Sequence, residues 1–142
     1  MIGLVDTGTG LIPFISAVVQ FRDFPVEQIL DAIERADNEM YENGIVAVGD
    51  ICNKLDTKIT KDKSKINYYS FVEMFDFMHS SMTVSTIEQY SAVFNGQSTD
   101  NSNKKSIVPH APYSVSEALF DYINKNNELE DTVSIHNQET SA

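Results

Sequence analysis

The hydrophobic pattern of the chain switches between a helical repeat and short unbroken apolar runs, and the switches mark its elements. From Leu11 to about Phe21, the residues Leu11, Phe14, Ile15, Val18 and Val19 recur at helical spacing. A second helix is predicted from Pro25, with proline in its first turn and Asp23 as the candidate cap. Its apolar stripe is Val26, Ile29, Leu30, Ile33, Ala36, Met40 and Tyr41, and Gly44 is its natural stop. The run Ile45-Val46-Ala47-Val48-Gly49-Asp50-Ile51 then lacks polar alternation. Such a run reads as a strand covered on both faces, as in parallel sheets.

The polar, lysine-rich stretch from Asn53 to Lys65 is expected to be partly helical, and Ile66 to Met74, rich in β-formers, is a second strand. Val84, Ile87, Tyr90, Ser91 and Phe94 predict an amphipathic helix ending near Gly96, followed by a polar loop from Gln97 to Lys105. Ser106 to His110 is a third strand. Ser114-Val115-Ser116-Glu117 then has the form of a capping box that opens a helix through Ala118, Leu119, Tyr122 and Ile123. Thr132 to His136 is a fourth strand. The expected fold is α/β, with about four parallel strands alternating with helices. Four successive right-handed units would form half of a closed barrel, a partial (β/α) TIM barrel with two open edges.

The length of 142 residues suits a single domain with a substantial core, but falls short of the roughly 250 residues of a whole (β/α)8 barrel. A net charge of −11 argues against nucleic acid as a partner, even with the cluster Lys58, Lys61, Lys63 and Lys65, and reads more simply as a solvated acidic surface. Cys52, the one cysteine, cannot form an intrachain disulfide. The start of the sequence lacks the basic and apolar regions of a signal peptide, and no apolar run approaches the roughly 20 residues that span a bilayer, so a cytoplasmic protein without a membrane partner is expected. The glycines of Gly3-Leu4-Val5-Asp6-Thr7-Gly8-Thr9-Gly10 miss both the P-loop and the dinucleotide spacing, and are read as an irregular lead-in.

Parallel α/β folds place their chemistry at the C-terminal ends of strands. Here those ends carry Asp50 with Cys52 and Asn53, then Glu73, then His110, then His136 with Glu139. A single polar residue at a strand end is common for solubility alone, so Asp50 and Glu73 are rim candidates only. His110, at the end of an apolar strand with Pro109 and Pro112 around it, is harder to explain structurally, whereas His79, between Met78 and Ser80, reads as a surface residue. At His136 the chemistry is more specific. A neutral imidazole suits a cation such as zinc, and a carboxylate three residues later, Glu139, can reach a metal-bound water and move its proton.

Two segments carry a resemblance. His110-Ala111-Pro112-Tyr113-Ser114-Val115-Ser116 and Ile135-His136-Asn137-Gln138-Glu139-Thr140 resemble the H-[AS]-P-Y-[ST]-x-S and [IV]-H-x-x-E-T pair of the amidohydrolase superfamily. The branch resembled is that of deaminases and chlorohydrolases, which includes methylthioadenosine/S-adenosylhomocysteine deaminases and guanine deaminases. The resemblance implies that His136 is the fifth-strand metal ligand, Glu139 the general acid/base and His110 a substrate-contacting histidine, with Gly44 to Ile51 matching the second barrel strand. It also implies a divalent metal, zinc above all, and a small-molecule substrate such as an aminopurine or related amine. The family's H-x-H on strand one, sixth-strand His and eighth-strand Asp are not found in these 142 residues. The chain is therefore expected to be a single-domain fragment, strands two to five of a hydrolase barrel, inactive in isolation.

Two other readings compete. A non-catalytic α/β interaction module would use the histidines merely to end strands and would self-associate through open sheet edges, so a homo-oligomer is expected. A flavodoxin-like nucleotide-binding domain suits the length and acidity, but Asp50-Ile51-Cys52-Asn53-Lys54 makes a poor phosphate loop after its strand.

Overall fold

The computed structural model describes residues 5–6, 8–20 and 24–138. Two helices, α1 (Leu11–Gln20) and α2 (Val26–Glu42), come first. They are followed by β1 (Ala47–Cys52), α3 (Lys58–Lys63), β2 (Asn67–Met74), α4 (Thr83–Gly96), β3 (Lys104–Pro109) and α5 (Glu117–Asn126). The strands form one parallel sheet in the order β1-β2-β3. Helices separate consecutive strands, as parallel pairing requires.

Several predicted signals act as expected. Gly44, at φ +84°, sits in the left-handed region just past α2, where its amide donates to the Tyr41 carbonyl. Asp23, and Gly3, Leu4 and Thr7 of the glycine-rich lead-in, lie outside the described residues. The cap position of α2 is held by Pro25, whose carbonyl accepts from the amides of Gln28 and Ile29. At its far end, α4 is closed by Lys105, whose ammonium donates to the carbonyls of Phe94 and Gln97 at 2.8 and 2.7 Å. Those are the orphan acceptors of a helix C-terminus, where a cation is favoured.

Strand parity divides the sheet into two faces. On one face Val72, Met74 and Ile107 pack with Tyr90 of α4 and Val115, Leu119 and Ile123 around α5, and these residues make the core. On the other face lie Gly49, Ile51, Tyr69, Phe71, Glu73, Ser106 and Val108, by the register Ile51↔Phe71, Phe71↔Ser106 and Glu73↔Val108. Gly49 has to be small there. A Cβ on it would stand 2.9 Å from the ring of Phe71, which stacks on Tyr69 at 4.7 Å.

The predicted fourth strand, Thr132 to His136, does not join the sheet: the described residues form three strands rather than four. The reason lies at the outer edge of β3. The Asn127 carboxamide bonds both backbone groups of Ile107, accepting from its amide at 3.2 Å and donating to its carbonyl at 2.8 Å. A side chain thus takes the positions a fourth strand would use. The segment is instead fastened by Ser106 Oγ donating to the Thr132 carbonyl, by the Thr132 amide donating to Tyr69 Oη, and by one backbone bond from the His136 amide to the His110 carbonyl.

The capping box is also shifted. Ser116, not Ser114, caps α5: its hydroxyl accepts from the Leu119 amide, and Glu117 is the first helical residue. Ser114 is thereby released for a different role.

Candidate functional site

Glu73, His110 and His136 meet at the C-terminal end of the sheet. One ligating atom from each lies within 4.8 Å of the other two, and Glu73 is buried while both histidines are half-buried. Each arrives there for a local reason. Glu73 shares the parity of Tyr69 and Phe71, which puts it on the face away from the core. His110 directly follows β3, and its amide still donates to the Met74 carbonyl at 3.0 Å. His136 is positioned by the 2.8 Å bond from its own amide to the His110 carbonyl.

The side chains are held as firmly as the backbone. His136 Nε2 stands 3.1 Å from Glu73 Oε1. His110 Nδ1 lies 2.6 Å from Ser114 Oγ. The His110 ring also meets three others: Phe75 at 5.5 Å, His136 at 5.3 Å and, edge-on, Tyr113 at 5.9 Å. These contacts leave the imidazole little freedom to turn.

Imidazole and carboxylate are donors that zinc and similar divalent cations accept, at roughly 2.0–2.2 Å each, and His136 and Glu73 offer one of each with His110 beside them. Neighbouring ligands of one cation therefore lie roughly 3–3.5 Å apart, close to the 3.1 Å between Glu73 and His136. The donor set fits a metal. Glu139 lies outside the described residues.

Asp50 does not join this group. It pairs in register with Ser70, on the opposite face from Glu73, and its carboxylate meets Lys61 Nζ at 2.5 Å. Lys61 is 4% exposed and also donates to Ser70 Oγ at 2.9 Å, so Asp50 neutralises a buried lysine. Cys52 is on that face too, within reach of the Gln97 amide. Burial pushes its thiol up to about 11, which leaves it protonated and a poor nucleophile at neutral pH. His79 is exposed, as expected.

Two residues of the site's frame were not anticipated from the sequence. Ser114 is the partner of His110 described above. Asp76, fully buried just beyond β2, accepts from the Ser116 amide at 2.8 Å, from Ser116 Oγ at 2.5 Å and from Thr83 Oγ1 at 2.8 Å. It ties the first turns of α4 and α5 to the strand end that carries Glu73. Its signal in the sequence was an acidic residue inside the apolar run Phe75-Asp76-Phe77-Met78, where an unpaired charge would be costly.

No protein-family profile matches the chain, and no curated protein matches it. Among solved structures, the crystal structure of Helicobacter pylori aminofutalosine deaminase in complex with methylthio-coformycin is similar, with a TM-score of 0.70 and 20% identity, over 90% of this chain and 31% of that one. A second crystal structure of the same deaminase gives a TM-score of 0.73 and 21% identity, over 91% of this chain and 31% of that one. The likeness shows a shared fold: parallel strands alternating with helices, laid out as in part of a deaminase. The chain spans about a third of the length of that enzyme.

Proposed function

We propose that this chain is a segment of the (β/α) barrel of a metal-dependent amidohydrolase-type enzyme that hydrolyses a C–N bond in a small molecule. The observation that carries the reading is the convergence of Glu73, His110 and His136 at the strand ends, with ligating atoms within 4.8 Å of one another. Residues far apart in sequence and brought together in that chemistry form the usual arrangement of a catalytic site on a parallel sheet. The deaminase that shares the fold, and the motif pair around His110 and His136, point the same way.

In this reading His136 holds a divalent cation, with zinc the best match to its donors, and Glu73 lies against the same position. A bound metal would supply an activated water for attack on the carbon bearing the nitrogen. His110 contacts the substrate, an aminopurine or related amine. Glu139 carries the proton from the attacking water to the leaving nitrogen, a role open to a carboxylate within one hydrogen bond of both. The remaining ligands come from other parts of the parent chain, so the 142 residues alone have no turnover.

Sequencing the coding DNA on both sides of this reading frame tests the proposal. An H-x-H upstream and a His and an Asp downstream are expected, and stop signals close by on both sides would overturn it. The alternative, a non-catalytic module that self-associates, draws on the unpaired outer edge of β1 among the described residues and the exposed Ile45, Val46 and Ile51 beside it.

A further inference from the structure

We propose that Ser114 is a positioning residue that fixes the tautomer of His110, placing the ring proton on Nδ1 and leaving Nε2 with a bare lone pair. The Ser114 hydroxyl has one proton to donate and lies near two acceptors, His110 Nδ1 at 2.6 Å and the Ala111 carbonyl at 3.2 Å. If it donates to the ring nitrogen, its contact with the carbonyl goes unused. If it donates to the Ala111 carbonyl, its oxygen can accept a proton from Nδ1 and both contacts become hydrogen bonds. Ser114 is only 4% exposed, so water does not compete for these bonds and the arrangement with more of them is favoured.

The frame around Ser114 holds the hydroxyl in place. Its amide donates to the Ala111 carbonyl at 3.1 Å and its own carbonyl accepts from the Asp76 amide at 3.2 Å, which closes the turn from Ala111 to Ser114. Phe75 and Tyr113 pack on the imidazole, so it cannot swap nitrogens by flipping freely. Ser114 acts through His110.

The consequence rests on the hydrolase reading given above. With its proton on Nδ1, His110 offers Nε2 as an acceptor, so it selects a substrate that presents an N–H or O–H at that point and disfavours one that presents a bare ring nitrogen. The opposite tautomer would reverse that preference.

Long-range proton–nitrogen NMR correlation on the whole 142-residue chain, at a pH alkaline enough for the imidazoles to be neutral and with neither metal nor substrate added, reads the tautomer directly. The His110 signals are assigned by their loss in His110→Gln. The expected result is a protonated, pyrrole-type Nδ1 and a bare, pyridine-type Nε2, retained in Ser114→Thr and replaced by averaged shifts in Ser114→Ala. A wild-type spectrum with the proton on Nε2, or a Ser114→Ala spectrum identical to wild type, would overturn the proposal. If Ser114→Ala does not fold, the wild-type and threonine spectra still decide. Because no metal or substrate is present, failure of the hydrolase reading leaves this result standing, and failure here leaves the metal reading open to its own test.

Discussion

Glu73 Oε1 and His136 Nε2 stand 3.1 Å apart, so a strand residue buried to 7% exposure is joined to a histidine on a segment that makes no ladder with the sheet. The carboxylate holds the ring where the strand ends converge, and it does so from the rigid side of the pair. As donors to one divalent cation the two atoms would keep about the separation they already have.

Glu73→Gln follows from that pairing. It keeps the size of the side chain but replaces an anionic donor by a neutral one, so the fold is expected to persist while zinc affinity falls by about tenfold or more, which is about 1.4 kcal/mol or more of lost metal–carboxylate attraction. Calorimetric titration of zinc into the two proteins checks this, with circular dichroism confirming the fold. Unchanged affinity would remove Glu73 from the site.

Asp76 predicts how stability depends on pH. Burial alone would raise its carboxyl, but the Ser116 hydroxyl and amide, the Thr83 hydroxyl and the Met78 amide donate to it, and together they hold it below its ordinary value of 3.8. A group depressed in the folded state contributes stability that is fully present above its unfolded pKa and is lost as pH falls through the folded value. Unfolding by urea at a series of pH values should therefore show wild type losing stability below about pH 4. Asp76→Asn should be less stable at neutral pH, by on the order of 2–3 kcal/mol, and should show a shallower decline in acid.

Asp50→Ala separates structure from site. It strands the ammonium of Lys61, which is 4% exposed, so thermal unfolding should show a loss of about 3 kcal/mol. Zinc affinity should stay at the wild-type value, because Asp50 lies on the other face from Glu73. Weaker zinc binding in a variant that remains folded would return Asp50 to the site.

The contrast between Asp50 and Glu73 also marks how far the sequence could be read. Both were strand-end carboxylates in apolar runs, and only the register, Asp50↔Ser70 against Glu73↔Val108, places them on opposite faces. Apolar periodicity was enough to locate α1, α2, α4, α5 and three strands, because burial of apolar residues is what holds such elements in place. The fourth strand was lost to a long-range contact, the Asn127 carboxamide on Ile107, that no local pattern announces. Ser114 fitted a capping box in sequence, yet its neighbour Ser116 supplies the cap and Ser114 turns back to His110. His110 and His136 were legible as strand-end imidazoles, whereas their approach to 5.3 Å between ring centroids depends on the tail folding back along β3.

The most direct test of the account is a zinc titration of the 142-residue chain followed through its histidine ring nitrogens, in wild type and in His136→Ala. The account predicts one-to-one binding that shifts His136 and His110 but not the exposed His79, and that disappears in the alanine variant. Zinc binding that survives His136→Ala unchanged, or no binding by a folded wild-type chain, would contradict it.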